Sequence, residues 1–393
     1  MQSVIHRVDA ERAEVIVART YEYSLGVQQQ FPADMLFQIN YVGNLGRHIR
    51  RTPSINNAAW TSQGFIPVAP NPNTFACPSG INAAAYGCSG GFANSKLAQD
   101  QTRPYLGYSG ISEALSDVNS NYNALQVSLT KRTGIVTALV SYAYSKALGN
   151  GGGAGDAYNE NPEPQCPFTC LVSTPGNPVL VNGSTSAVPG GTQTGGVVET
   201  WQQYEYGRLS FDATHIVALA FTVESPWGKN LSGVEGSVVK GWSLSGIMHY
   251  QTGAPLTATA TQAIGATGVT AAGRANFVPG QSVLFSGTCA NSKAICWANP
   301  SAFSQESALG AGDAPIGNIT GPDYYQWDMS LRKAFGLPFR EGMRLQFQAD
   351  AFNVFNHANW NNPTVSNAGN PNFGQITGSL PARVLQFGAK FVF

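Results

Sequence analysis

The stretch Leu385-Gln386-Phe387-Gly388-Ala389-Lys390-Phe391-Val392-Phe393 alternates apolar side chains with polar or small ones. A β-strand sends successive side chains to opposite faces, so Leu385, Phe387, Ala389, Phe391 and Phe393 share one face. Gln386, Gly388, Lys390 and Val392 take the other. Chain ends usually fray in polar residues, whereas this one stops inside the pattern on an aromatic ring. The strand has an apolar side that must be covered and a polar side that meets water.

Eight earlier segments repeat the period of two, near residues 21–30, 35–43, 121–131, 135–146, 211–224, 241–252, 326–335 and 342–354, with the terminal strand at 383–393. Each is about ten residues long, the length a tilted strand needs to cross a bilayer. The expected lipid faces carry Met35, Phe37, Ile39 and Tyr41; Val136, Ala138, Val140, Tyr142 and Tyr144; Phe211, Ala213, Val217, Leu219, Phe221 and Val223; and Trp327, Met329, Leu331 and Phe335. Charges fall on the opposite faces at Asp212, Asp328, Arg332, Arg344, Asp350 and Lys390. A lipid-facing Arg or Lys at the midplane costs about 2–4 kcal/mol, so this segregation is what a membrane wall needs. Lys131 and Lys333 break the rule at strand ends, where a long side chain can reach the interface. Tyr and Trp residues gather where strands meet loops, the level at which amphipathic rings are stable.

Composition agrees. The 393 residues carry 22 Lys plus Arg against 22 Asp plus Glu, which leaves no electrostatic case for a nucleic-acid partner. Charged residues are 11%, against about 25% in soluble domains, so something other than a charged surface faces the surroundings. A run of about 18 apolar residues, the signature of a spanning helix, is missing, whereas interleaved lipid-facing and lumen-facing residues produce this low charge in a transmembrane β-barrel. The expected fold is all-β: an antiparallel transmembrane β-barrel segment of about nine strands with long extracellular loops. The barrel is incomplete, because an odd number of antiparallel strands leaves the first and last parallel. The expected location is the cell outer membrane, with outer-membrane lipid as one partner. The apolar residues Leu385, Phe387, Phe391 and Phe393 are a candidate signal for the barrel assembly machinery.

Short connections (31–34, 132–134, 336–341 and, somewhat longer, 225–240) alternate with long ones (44–120, 147–210, 253–325, 355–382). Short periplasmic turns and long extracellular loops are the rule in such barrels. The long loops are rich in Gly, Asn, Ser and Pro, and are expected to supply turns without an apolar face to bury. All six cysteines lie there as local pairs, Cys77 with Cys88, Cys166 with Cys170 and Cys289 with Cys296, the candidate disulfides of an oxidising compartment. Half a zinc site at Cys166 and Cys170 is the weaker reading, since no matching His or Cys pair lies nearby. Residues 1–20 have no apolar signal-peptide core and are expected to lie outside the barrel; either 21–393 form the carboxyl-terminal part of a longer exported protein, or translation starts at a residue other than Met1.

Catalytic motifs are weak. Gly87-Cys88-Ser89-Gly90-Gly91 is similar to a trypsin-like nucleophile segment, but His6 and His48 are the upstream histidines and neither has a matching context. Gly149 to Ala154 fits a dinucleotide-loop spacing with no helix after it. No catalytic, cofactor-binding or metal residue is assigned, and no cofactor. Asp328, Arg332, Arg344 and Asp350 are candidate lumen charges on adjacent strands, expected to form an ion-pair network or to contact a plug or solute.

In family order, the chain carries Leu25-Gly26-Val27-Gln28 with Ile39-Asn40-Tyr41-Val42-Gly43, and Tyr122-Asn123-Ala124-Leu125-Gln126 with Ser141-Tyr142-Ala143-Tyr144-Ser145-Lys146. Phe211-Asp212, Pro226-Trp227-Gly228 and Gly241-Trp242 follow, then Trp327-Asp328, Phe352-Asn353-Val354-Phe355-Asn356-His357 and Asn372-Phe373-Gly374. This series resembles the TonB-dependent outer-membrane transporters, and among them the Oar-like group with a carboxypeptidase-regulatory-like amino-terminal domain. The resemblance implies a wall segment of a larger barrel, a plug supplied elsewhere, coupling to the TonB complex, and transport of an unidentified scarce solute without bond chemistry. The alternative is a passive barrel or surface-display adhesin.

Overall fold

The computed structural model describes residues 17–52, 111, 113–151, 169–173, 180–181, 193–194, 197–227, 230–231, 233–261, 272–285, 294–304, 311–337, 343–366 and 368–393. Nine long strands form one antiparallel sheet in strict chain order: β1 (Arg19–Phe31), β2 (Met35–Arg51), β3 (Leu115–Lys131), β4 (Val136–Gly149), β5 (His215–Glu224), β6 (Trp242–Gln251), β7 (Tyr324–Gly336), β8 (Arg344–Phe352) and β9 (Val384–Val392). Gly207–Arg208 extends the pairing at the end of β4. Among the described residues, two short α-helices, α1 (Trp201–Tyr204) and α2 (Gly233–Val239), and one 3-10 turn at Pro300–Ala302 interrupt an otherwise nearly all-β chain. The sheet is open. Among the described residues β1 pairs with β2 alone and β9 with β8 alone, and the alternation makes the two edge strands run the same way.

Register turns the alternation of each strand into faces of the whole sheet, because directly paired residues share a face. One row crosses all nine strands as Phe31, Met35, Lys131, Ala138, Phe221, Gly246, Met329, Ala351 and Leu385. The next row on that face is Phe37, Leu129, Val140, Leu219, Met248 and Trp327. Gly246 belongs there because the Phe221 ring lies across it: an added Cβ would sit 2.6 Å from that ring. On the opposite face a row reads Gln28, Gln38, Ser128, Ser141, Ala218, His249 and Gln326. Large apolar residues on that face include Leu139 and Ile247, both exposed.

Three boundaries differ by four residues or more from the sequence reading. β2 runs to Arg51 and β3 starts at Leu115, because register shifts after Gly46 and Ile49, with His48 at φ 57°, break the period without ending the pairing. β5 starts at His215, not near 211. Asp212 is therefore not on a polar strand face, nor are Phe211 and Ala213 on a lipid face. Asp212 and Ala213 are buried in the preceding turn and Phe211 is exposed there.

The long connections also depart from expectation. Far from lacking an apolar face, those between β6 and β7 and between β8 and β9 share a core of Ala258, Ala260, Ala275, Ala298, Ala302, Phe303, Ala314, Ile319 and Phe373. Short antiparallel pairs hold it: Pro255–Leu256 with Ile319–Thr320, Thr259–Thr261 with Ala272–Arg274, Asn276–Phe277 with Phe303–Ser304, and Ile295–Cys296 with Gln375–Ile376. Alanines are easily overlooked as core residues, but small side chains let backbones approach closely. Gly374, at φ 75°, is the limiting case, since a Cβ there would collide with the Ala298 carbonyl.

Candidate functional site

The rim where wall meets loops is built on buried charge. Asp212 is wholly buried and accepts hydrogen bonds from Ala147 N at 2.7 Å and Arg208 Nε at 2.8 Å, with Lys146 Nζ at 3.5 Å. Arg208 also donates to Thr320 Oγ1 at 3.1 Å, so one carboxylate ties the end of β4 to two long connections. A second junction pairs Arg51 of β2 with Asp117 of β3 at 2.7 Å. The Arg51 guanidinium lies 3.6 Å from the Trp201 ring centre, and Trp201 Nε1 donates to Asp117 at 3.2 Å. Stacking a guanidinium on an indole while its fork grips a carboxylate uses both recognition modes of arginine.

Trp201 opens α1, whose amino terminus is closed by a capping box between Thr200 and Gln203. At the other end of α1, Tyr204 donates to Gly312 O at 2.8 Å and lies under Arg274 at 3.5 Å. One helical turn thereby joins the wall to the alanine-rich loop core. Thr200-x-x-Gln203 is a readable helix-start signal and could have located α1 in the sequence. Its two arginine partners come from distant segments and leave no local trace. Within the loop core, Asp313 accepts from Phe277 N at 2.6 Å. Burial raises its carboxyl above the ordinary aspartate value, against that hydrogen bond and nearby Arg274, which pull it down.

The four candidate lumen charges lie on one face of β7 and β8. Register sets Asp350 opposite Ser330, Arg332 opposite Gln348 and Arg344 opposite Gly336. They do not form the expected ion-pair network: among the described residues no cationic nitrogen lies within 4.0 Å of either carboxylate. Gln326 Nε2 instead donates to both oxygens of Asp328, and Gln348 Nε2 to both of Asp350, at 2.8 and 3.0 Å in each case. Residues two apart on a strand share a face, so each carboxylate is held from within its own strand. Asp328 also accepts from Asn353 N at 2.8 Å. Arg332, Arg344 and Lys390 are exposed toward the short-turn end, and the carboxylates sit nearer the long loops.

Leu385, Phe387, Phe391 and Phe393 are exposed along β9 and at the chain end just beyond it, with the Phe391 and Phe393 rings stacked at 5.9 Å. Cys296 is disulfide-bonded and Cys170 lies in the short strand Thr169–Ser173. Cys77, Cys88, Cys166 and Cys289 fall outside the described residues, as do residues 1–16 and the Gly87–Gly91 segment.

A sheet with one largely apolar face across nine strands, one largely polar face, short turns at one end and long connections at the other has a defined counterpart among known families. The outer membrane beta barrel domain matches residues 6–174 and 180–386. This chain belongs to that family. No curated protein matches it. Among solved structures it is similar to the outer membrane transporter YddB from Escherichia coli, with 11% identity and a TM-score of 0.44 over 96% of this chain and 33% of that one. It therefore spans about a third of the length of that protein.

Family membership places the protein in the outer membrane and orients the wall. Outer membrane beta barrel domains turn an apolar band to lipid and a polar face inward, with short turns in the periplasm and long loops outside the cell. The row from Phe31 to Leu385 belongs to the apolar face, and Asp328, Arg332, Arg344, Asp350 and Lys390 belong to the other.

Proposed function

We propose that this chain is the carboxyl-terminal part, residues 21–393, of the wall of a TonB-dependent transporter of the Oar-like group, with residues 1–20 outside the wall. The observation that carries the reading is the open sheet whose edge strands β1 and β9 run in the same direction. Antiparallel closure then needs an odd number of further strands, as in a wall assembled from more chain than these nine strands. The resemblance of its motifs to that group supplies the energy coupling: a plug held inside the wall, moved by the TonB complex to admit a scarce solute, with no bond made or broken. Inward Arg332, Arg344 and Lys390 near the periplasmic end, and Asp328 and Asp350 above them, are the wall groups such a plug or solute would meet.

The test measures accumulation of scarce solutes, tried as a panel, in cells expressing the intact protein, with and without a functional TonB gene. Uptake of at least one solute is expected to require both the protein and TonB. Uptake that persists without TonB would identify a passive barrel instead.

The assembly role of β9 has its own consequence. Deleting Phe393 is expected to lower the amount of heat-modifiable, outer-membrane-inserted protein, because Phe393 extends the exposed apolar row of Leu385, Phe387 and Phe391 proposed as the assembly signal. Equal insertion of the deletion and the parent chain would remove Phe393 from that role. The six cysteines are proposed to pair locally as Cys77 with Cys88, Cys166 with Cys170 and Cys289 with Cys296.

A further inference from the structure

The connection between β5 and β6 is far longer than a periplasmic hairpin requires, and α2 lies within it. A helix ends with carbonyls that lack intrahelical partners. Here two wall residues satisfy them. Lys333 Nζ donates to Ser237 O at 2.7 Å and to Lys240 O, and Trp242 Nε1 donates to Val238 O at 2.9 Å. Lys333 is only 4% exposed despite lying on the lipid-facing side, where it pairs with Trp242 and Phe347. The sequence reading has it stretch to the interface. Instead it is consumed in clipping a helix to the outer surface of the wall.

Which side the clip lies on decides what the helix meets. Trp242 and Lys333 both belong to the apolar face, so α2 is fastened on the lipid side of the periplasmic rim and not beneath the lumen. Its connection exposes Trp227 at 72%, Val238 at 56% and Leu231 at 39%. Beside it runs a groove of about 450 Å³ lined by Trp242, Leu331, Lys333, Phe335, Phe347 and Phe387 among others. That groove is continuous with the lipid-facing wall. An indole is most stable at the headgroup level, and a short helix with apolar side chains lies in the plane of the interface.

We propose that α2 and its flanking residues form an interfacial foot that docks on phospholipid of the periplasmic leaflet, with an acyl chain in the groove and Trp227, Leu231 and Val238 at the boundary of headgroup and chain. The foot rests on the outer-membrane location alone and is independent of energy-coupled transport. The full chain is reconstituted into phosphatidylcholine vesicles brominated near the headgroup or near the chain ends, and the difference between the parent and Trp227→Phe isolates the Trp227 emission. That emission is expected to be quenched by the headgroup-proximal bromines and protected from iodide in the water. Val238→Asp should abolish the lipid quenching while heat-modifiable migration shows the wall still folded. Quenching of Trp227 by iodide and by neither lipid, or lipid quenching unchanged in Val238→Asp, would overturn the proposal.

Discussion

Replacing Asp212 by alanine is expected to lower the unfolding free energy by about 3–5 kcal/mol, the range for removing one partner of a buried ion pair. The cost comes from what is left behind. Arg208, with its side chain 18% exposed, would keep a charge without its carboxylate, and Ala147 N would lose its acceptor. Lys146, nearly half exposed, can turn to water and should contribute little. Asp212→Asn retains an oxygen for Ala147 but not the charge, so a smaller loss of about 1–3 kcal/mol is expected. Urea unfolding of the refolded chain in detergent, followed by loss of heat-modifiable migration, measures both. A shift below about 1 kcal/mol for Asp212→Ala would show that the rim does not depend on this hub. The loop core should loosen with it, because Arg208 reaches Thr320 from the same junction.

The second large effect compares two neighbouring positions on β4. Val140 lies between Leu129 and Leu219 in a lipid-facing row, and Ser141 lies between Ser128 and Ala218 on the inner face. Val140→Arg is expected to destabilise the inserted wall by about 2–4 kcal/mol, the cost of a cation near the bilayer midplane. Ser141→Arg places the same side chain in a polar lumen and should change stability by no more than about 0.5 kcal/mol. Because both substitutions share a strand and a side chain, propensity and size cancel in the comparison. Equal losses at the two positions, by unfolding in lipid vesicles, would refute the face assignment.

Both results depend on features that differ in how far the sequence reveals them. The face of Val140 is legible in one dimension, because a strand has a period of two and lipid punishes a misplaced charge, so the pattern in each segment declares its own orientation. The nine strands of the wall follow from that, within a few residues at most boundaries. Asp212 is a counterexample. Its place in an alternating segment suggests an inward strand charge, yet the strand begins three residues later and the carboxylate is drawn into a turn by Arg208.

The loop core and its links to the wall were hidden for a related reason. Alanines give no strong local signal, and Arg51 on Trp201 and Arg274 on Tyr204 join residues far apart in the chain. Likewise the four lumen charges share a face, as alternation requires, but whether opposite charges meet depends on distances across the sheet. Those distances leave Asp328 and Asp350 to Gln326 and Gln348. The sequence alone determined the strands, their faces and hence the membrane they suit, since periodicity and solvation act residue by residue. Tertiary structure alone decided which charges pair, that the loops have a core, and that Lys333 holds α2 to the lipid side, since each of these depends on segments meeting in space.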